Sequence, residues 1–312
     1  MKNKILILGG NGKLGRSVVN FCKKKDLQYL SPVRGELDLE DTKLLESYLD
    51  THSPNYIINC ASHSNVQYCQ ENAARTININ YYLVKFIADY SKKANFIFIT
   101  FSSDYVFDGL ANVKDSYSES DIKSPISMYG IQKKMADEYL EENGKKFFIL
   151  RFSSLFGAGI DNITTKILLV FLGESQGKIS YKLANDEFVS PALDLDIISI
   201  IETIICHSGQ IDFGTYNISS GESSSRFDFV KNLKNSFVKY LGIKHVNFDS
   251  YSLQLSPCSR KEFKFYQFRP INSTLNTSKI ELCVPGFERI REINRLSYFD
   301  DLANLNKTVS IK

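Results

Sequence analysis

Five short runs in this chain are apolar with almost no polar alternation: KILILG (4–9), QYLSPV (28–33), NYIINCA (55–61), NFIFITFSS (95–103) and KKFFILRF (145–152). A strand with one solvated face would alternate apolar and polar residues. Runs like these are instead buried on both faces, as in a parallel sheet covered by helices on each side. The intervening segments 13–25, 40–51, 72–93 and 127–143 have helical length and carry apolar residues at three- and four-residue intervals, as one-sided helices require. The expected class is α/β, a doubly wound parallel sheet.

After about residue 155 the rhythm loosens. A helical stretch at 161–173, a strand near 178–182, a polar turn ANDEF (184–188) and helices near 193–206 and 224–240 do not continue the regular alternation. The expected division is a sheet domain over 1–155 and a smaller mixed α/β lobe over 156–312, interleaved with the first. The serine-rich SSGESSSR (219–226) reads as a loop capping the following helix, because serine hydroxyls satisfy helix N-terminal N–H groups. With 312 residues, 43% of them apolar, the chain can bury a substantial core.

Thirty-eight basic and thirty-five acidic residues leave a net charge of +3, too balanced to infer a nucleic-acid partner. The six cysteines show no C-x-x-C pair and no regular spacing, which argues against a zinc site or a disulfide framework and for reduced thiols in a cytoplasm. The apolar run ILIL is too short for a signal peptide or a membrane span, and no other segment reaches spanning length, so no membrane partner is expected.

The first strand passes directly into GGNGKLG, with Gly9, Gly12 and Gly15 in a G-x-x-G-x-x-G pattern that opens the first helix. Such glycines permit a tight turn, close approach of a pyrophosphate, and tight helix–strand packing. The helix N-terminus then offers unpaired N–H groups to phosphate. Gly9, Asn11, Gly12, Lys13, Leu14 and Gly15 are therefore expected against a dinucleotide. At the end of the second strand, where an acidic residue would hold the adenosine ribose, SPVRGELD offers Arg34. A guanidinium suits a 2′-phosphate and favours NADP(H), while the nearby Glu36 keeps NAD(H) open. Asp38 and Leu39 are candidates to line the adenine, with Asp38 as a plain helix cap the alternative.

Tyr129 and Lys133 stand i, i+4, so on a helix they share one face. A phenol with an ordinary pKa of about 10 is a poor proton donor until a cation stabilises its phenolate, and Lys133 can be that cation. Ser103 lies at the carboxyl end of the fourth apolar run, where ligands bind in open α/β sheets, and its hydroxyl can hydrogen-bond a carbonyl. Together these residues suit reduction of a carbonyl to an alcohol. A turn motif is the bland alternative for Ser103 and Asp104.

With these residues in view, the chain resembles the extended short-chain dehydrogenase/reductases, and within them the dTDP-4-dehydrorhamnose reductase group, over nearly its whole length. The shared blocks are GGNGKLG (9–15), LDLED (37–41), INCASHSNVQYCQ (58–70), SSDYVFDG (102–109), SPISMYGIQK (124–133), LRFSSLFG (150–157), ANDEFVSP (184–191) and RPINSTLNTSK (269–279). The resemblance implies an NAD(P)-binding Rossmann domain, Tyr129 as proton donor, Lys133 as its partner and cofactor ligand, and Ser103 where threonine is also usual. It further implies that Ala61, Ser62 and Ser64 line the cofactor, that Phe101 lies on the nicotinamide side, and that Asp104, Ser154 and Arg269 face the substrate. His63 reads as a loop histidine with no catalytic part.

Two departures stand out. The family often has tryptophan where this chain has Ser154, and this chain has no tryptophan. Ser17 replaces a glutamate that some members use for a metal-linked dimer, so no metal is expected; a homodimer is one assembly open to the chain. The implied activity is NAD(P)H-dependent reduction of a nucleotide-activated 4-keto-6-deoxysugar for surface polysaccharide. Alternatives are a non-catalytic NADP-binding subunit resembling the methionine adenosyltransferase β subunit, and a related nucleotide-sugar epimerase or reductase.

Overall fold

In a computed structural model, which describes residues 4–110, 112, 115–170, 179–207, 209, 211–221, 223–244 and 253–309, the apolar runs form β1 (Ile5–Leu8), β2 (Tyr29–Leu30), β3 (Tyr56–Asn59), β4 (Ile97–Ser103) and β5 (Phe147–Phe152). The later chain adds β6 (Leu155–Phe156), β7 (Ile179–Ala184), β8 (Phe188–Val189), β9 (Ala192–Leu193), β10 (Gly214–Ile218), β11 (Ser224–Ser225) and β12 (Leu253–Cys258). Helices α1 (Lys13–Lys24), α2 (Thr42–His52), α3 (Val66–Glu71), α4 (Ala73–Ile77), α5 (Leu83–Tyr90) and α6 (Met128–Asn143) alternate with the first five strands. Beyond them come α7 (Ile163–Val170), α8 (Asp194–His207), α9 (Arg226–Ile243), α10 (Ser278–Cys283) and α11 (Phe287–Val309).

The main sheet has six strands in the order β10-β5-β4-β3-β1-β2, every pair parallel. Ile5, Ile7, Ile58, Ile99 and Leu150 face one side and pack with α1 and α8. Leu6, Leu8, Ile57, Phe98 and Ile149 face the other and pack with α2, α5 and α6. Burial on both faces is why these strands are continuously apolar. Because β1 lies between β3 and β2, the winding reverses there, and a crevice opens beyond the carboxyl ends of β1 and β3.

The structure departs from the sequence expectation in three ways. The second strand, expected over 28–33, keeps only Tyr29–Leu30; it is an edge strand, and Pro32 cannot donate to a ladder. The single helix expected over 72–93 is α4 and α5 joined by a π-helical segment, Asn78–Tyr82, that buries Asn80. The sixth strand, β10, comes from residues after 155 and pairs with β5 from Gly214 opposite Phe148 to Ile218 opposite Phe152. The helix expected over 161–173 is seen as Ile163–Val170, and residues 171–173 and 178 lie outside the described residues. None of the helices among the described residues is long and apolar enough to cross a membrane.

Candidate active site

The glycine turn is built around backbone proximity. Gly9 has φ +73°, and a Cβ there would lie 2.6 Å from the Ala61 nitrogen. A Cβ on Gly15 would lie 2.2 Å from the Gly9 carbonyl oxygen, so only glycine lets α1 start so close to β1. Gly12 is the N-cap of α1, and no side chain caps its first turn. That leaves helix N–H groups available to a phosphate. These features fit a dinucleotide pyrophosphate.

Two cavities meet at Gly12 and Ser62. The first, about 290 Å³, is lined by Gly9, Gly10, Asn11, Arg34, Asp38, Leu39, Ala61 and His63 among others. Its polar groups divide in a useful way. Glu36 does not line it; its carboxylate accepts the Val33 N–H at 3.0 Å. Asp38 accepts the Glu40 N–H at 3.1 Å, as in a local turn, while its side lines the cavity. Arg34 is 75% exposed and 3.6 Å from Glu40, so its guanidinium is loosely held at the cavity edge. Burial pushes the His63 imidazole below its ordinary range, and the residue makes no catalytic contact here.

The second cavity, about 520 Å³, gathers Lys13, Leu14, Ser64, Phe101, Ser103, Asp104, Tyr129, Lys133 and Ser154. Ser127 caps α6 by accepting the Gly130 N–H at 3.1 Å, which sets Tyr129 in the first helical turn, one turn ahead of Lys133. The Ser103 side chain, at the end of β4, lines the same cavity as the Tyr129 phenol, so residues 26 positions apart converge on one site. Tyr105 packs edge-on to the Tyr129 ring with centroids 5.8 Å apart. Lys133 Nζ donates to the Phe101 carbonyl at 2.9 Å. Burial holds Lys133 down to about 8, opposed by nearby Asp137, and burial also pushes the Tyr129 phenol up.

Sequence reasoning missed three supports. Asn80, in the π-helical segment, accepts from the Ser62 hydroxyl and the His63 N–H at 2.9 Å and donates to Gln132 Oε1 at 2.9 Å. From the π-helical segment it pins the loop after β3 to α6. Arg151 and Asp137 form a buried ion pair at 2.9 Å, and Ser102 donates to the same carboxylate at 2.7 Å. The signal for this pair is visible in FFILRF, an arginine inside an apolar strand. The third is Arg226, whose Nε pairs with Glu187 at 2.8 Å and whose Nη1 donates to Ser154 at 2.9 Å at the cavity wall. Arg269 is half-buried and does not line this cavity, although its charge is felt by Tyr105.

The family model of the RmlD substrate binding domain matches residues 2–289. The chain belongs to this family. It is similar to a dTDP-4-dehydrorhamnose reductase of Aggregatibacter actinomycetemcomitans, 26% identical over 89% of this chain and 92% of that one. It is also similar to the methionine adenosyltransferase 2 subunit beta of Rattus norvegicus, 24% identical over 89% of this chain and 81% of that one. Among solved structures, the dTDP-4-dehydrorhamnose reductase of Clostridium acetobutylicum superposes with a TM-score of 0.80 at 25% identity, covering 95% of this chain and 98% of its own. The Bacillus anthracis dTDP-4-dehydrorhamnose reductase, solved in complex with NADP, gives 0.77 at 24% identity, covering 95% and 100%.

In this RmlD-family chain the cavity wall is polar at Ser154. The Arg226 guanidinium occupies that side, tied to α9 by its own backbone and to the loop before β8 by Glu187. The cavity therefore presents hydrogen-bond donors there, where an indole would present an apolar face.

Proposed function

We propose that this protein reduces the 4-keto group of a nucleotide-activated 6-deoxysugar with NADPH, taking dTDP-4-dehydro-L-rhamnose to dTDP-L-rhamnose for surface polysaccharide. The observation that carries the reading is the convergence of Ser103, Tyr129 and Lys133 on one cavity that opens onto the glycine turn. Family membership and the reductase relatives support it. The setting we propose is cytoplasmic, where the six free cysteines remain reduced.

Gly9, Gly12 and Gly15, with the open first turn of α1, would hold the pyrophosphate, and Arg34 the 2′-phosphate. When bound, the reduced nicotinamide supplies the hydride. Tyr129 gives its phenolic proton to the carbonyl oxygen as the alcohol forms, Ser103 hydrogen-bonds the same oxygen, and the Lys133 cation stabilises the phenolate left behind. Arg226 and Ser154 face the sugar side of the cavity.

The test is an assay of the purified protein against dTDP-, UDP-, GDP- and CDP-linked 4-ketosugars with NADPH and NADH. Nicotinamide oxidation with a dTDP-4-ketosugar is expected. Oxidation of neither cofactor by any of them would contradict the reading. A second reading, a cofactor-bound subunit without turnover, rests on the similarity to the methionine adenosyltransferase subunit over 89% of the chain. Co-purification with a larger enzyme, together with no ketosugar activity, is its signature.

Two further results are expected. Arg34→Ala raises the KM for NADPH about 10-fold or more, the scale of a lost charge-assisted contact, and leaves the KM for NADH within about twofold; steady-state kinetics with both cofactors checks this. The pH dependence follows from Lys133, whose cation must survive to hold a phenolate. Its depressed value means the cation is complete below about 8 and lost as pH rises through it. kcat/KM therefore falls on the alkaline side near pH 8, well before the ordinary lysine value of about 10.4. A profile flat to about 10 would contradict this assignment.

A further inference from the structure

Ser103 has one proton and two lone pairs to share. The Tyr105 N–H lies 3.2 Å from its oxygen and takes one lone pair. Asp104 Oδ1 lies 2.7 Å away on another side. If Asp104 were a carboxylate it could only accept, so the single Ser103 proton would be committed to it. Ser103 would then turn a lone pair toward the substrate carbonyl oxygen, which repels rather than polarises it. If Asp104 carries a proton the valences close differently. The acid donates to Ser103, the Tyr105 N–H donates to Ser103, and the serine proton is free to point at the carbonyl.

The surroundings of Asp104 favour the protonated form. The side chain is 1% exposed, and Oδ2 is shut away from solvent with no hydrogen-bond partner. A carboxylate oxygen so placed is far more costly than the carbonyl oxygen of a neutral acid. Among the described residues no cation stands within ion-pairing distance of it. The groups that face it are few. Tyr105 follows it in the chain, and Tyr129 approaches from α6. Arg226, from α9, has its charge engaged by Glu187 at 2.8 Å. Ser153 and Ser273 stand nearby, but Ser153 Oγ makes no hydrogen bond and Ser273 donates to the Phe188 carbonyl at 3.2 Å. Burial pushes the Asp104 carboxyl above its ordinary range, with the serines and Arg226 opposing.

We infer that Asp104 works as a neutral carboxylic acid, a positioning residue that hydrogen-bonds Ser103 and so turns the serine hydroxyl toward the substrate carbonyl. The inference rests on the reductase reading for its consequence, and on the buried geometry alone for the protonation itself. No proton leaves Asp104 in the reaction; Tyr129 supplies the one that is transferred.

Infrared spectroscopy of protein labelled with ¹³C-aspartate tests it directly. At neutral pH a protonated-carboxyl band is expected in the wild type and absent in Asp104→Asn. In turnover, Asp104→Asn, whose amide can make the same hydrogen bond to Ser103, lowers kcat less than about 10-fold, whereas Ser103→Ala lowers it about 100- to 1,000-fold, the scale of a lost oxyanion donor. Absence of the band overturns the inference whether or not a ketosugar is reduced. So does a loss in Asp104→Asn as deep as in Ser103→Ala. A band seen in protein that reduces no ketosugar removes the reductase reading and leaves the neutral acid standing.

Discussion

Tyr129→Phe lowers turnover about 100- to 10,000-fold and leaves NADPH affinity within about twofold. The substitution deletes one oxygen and keeps the ring, so the edge-on packing against Tyr105 survives. What disappears is the hydroxyl, and with it the proton that the carbonyl oxygen needs. Lys133, still hydrogen-bonded to the Phe101 carbonyl, keeps its place beside the cofactor site, which is why binding is spared. Equilibrium titration with NADPH and single-turnover kinetics separate the two effects. Turnover within about threefold of the wild type would rule out the phenol as acid.

Arg151→Met destabilises the protein by about 3–5 kcal/mol, because it strands a buried charge. Arg151 and Asp137 side chains are 0% and 3% exposed and 2.9 Å apart. The pair couples β5 to α6, and Ser102 in β4 adds a second hydrogen bond to the same carboxylate. The double substitution Arg151→Met with Asp137→Leu recovers much of the loss, since no unpaired charge remains. Denaturant unfolding of the single and double variants measures both. A loss below about 1 kcal/mol in the single variant would show that Asp137 finds another partner.

The parallel sheet was legible because β1, β3, β4 and β5 are buried on both faces, and such strands leave unbroken apolar runs in the sequence. β10 was not, since GTYNI mixes polar residues into its run and comes after the helical alternation has lapsed. The Tyr129–Lys133 spacing marked one face of α6 from the sequence, but no local pattern announces that Ser103, 26 residues earlier, lines the same cavity. Arg226 lay in a serine-rich stretch read as a helix cap. Ser225 does cap α9, and that role hides the next residue's reach across to Ser154 and Glu187. Arg269 stood out by its motif, yet it does not line the cavity that holds Tyr129 and Lys133. Long-range pairings of this kind are set by the fold and leave no periodicity behind.

The most direct test of the account follows an isotope. With NADPH carrying deuterium at the transferable position of the nicotinamide and dTDP-4-dehydro-L-rhamnose as acceptor, NMR of the product should show one deuteron bonded to C4 of the sugar, with an equal amount of NADP formed. Deuterium retained on the cofactor after prolonged incubation with the folded, NADPH-bound protein would contradict the claim that its serine, tyrosine and lysine surround a carbonyl being reduced.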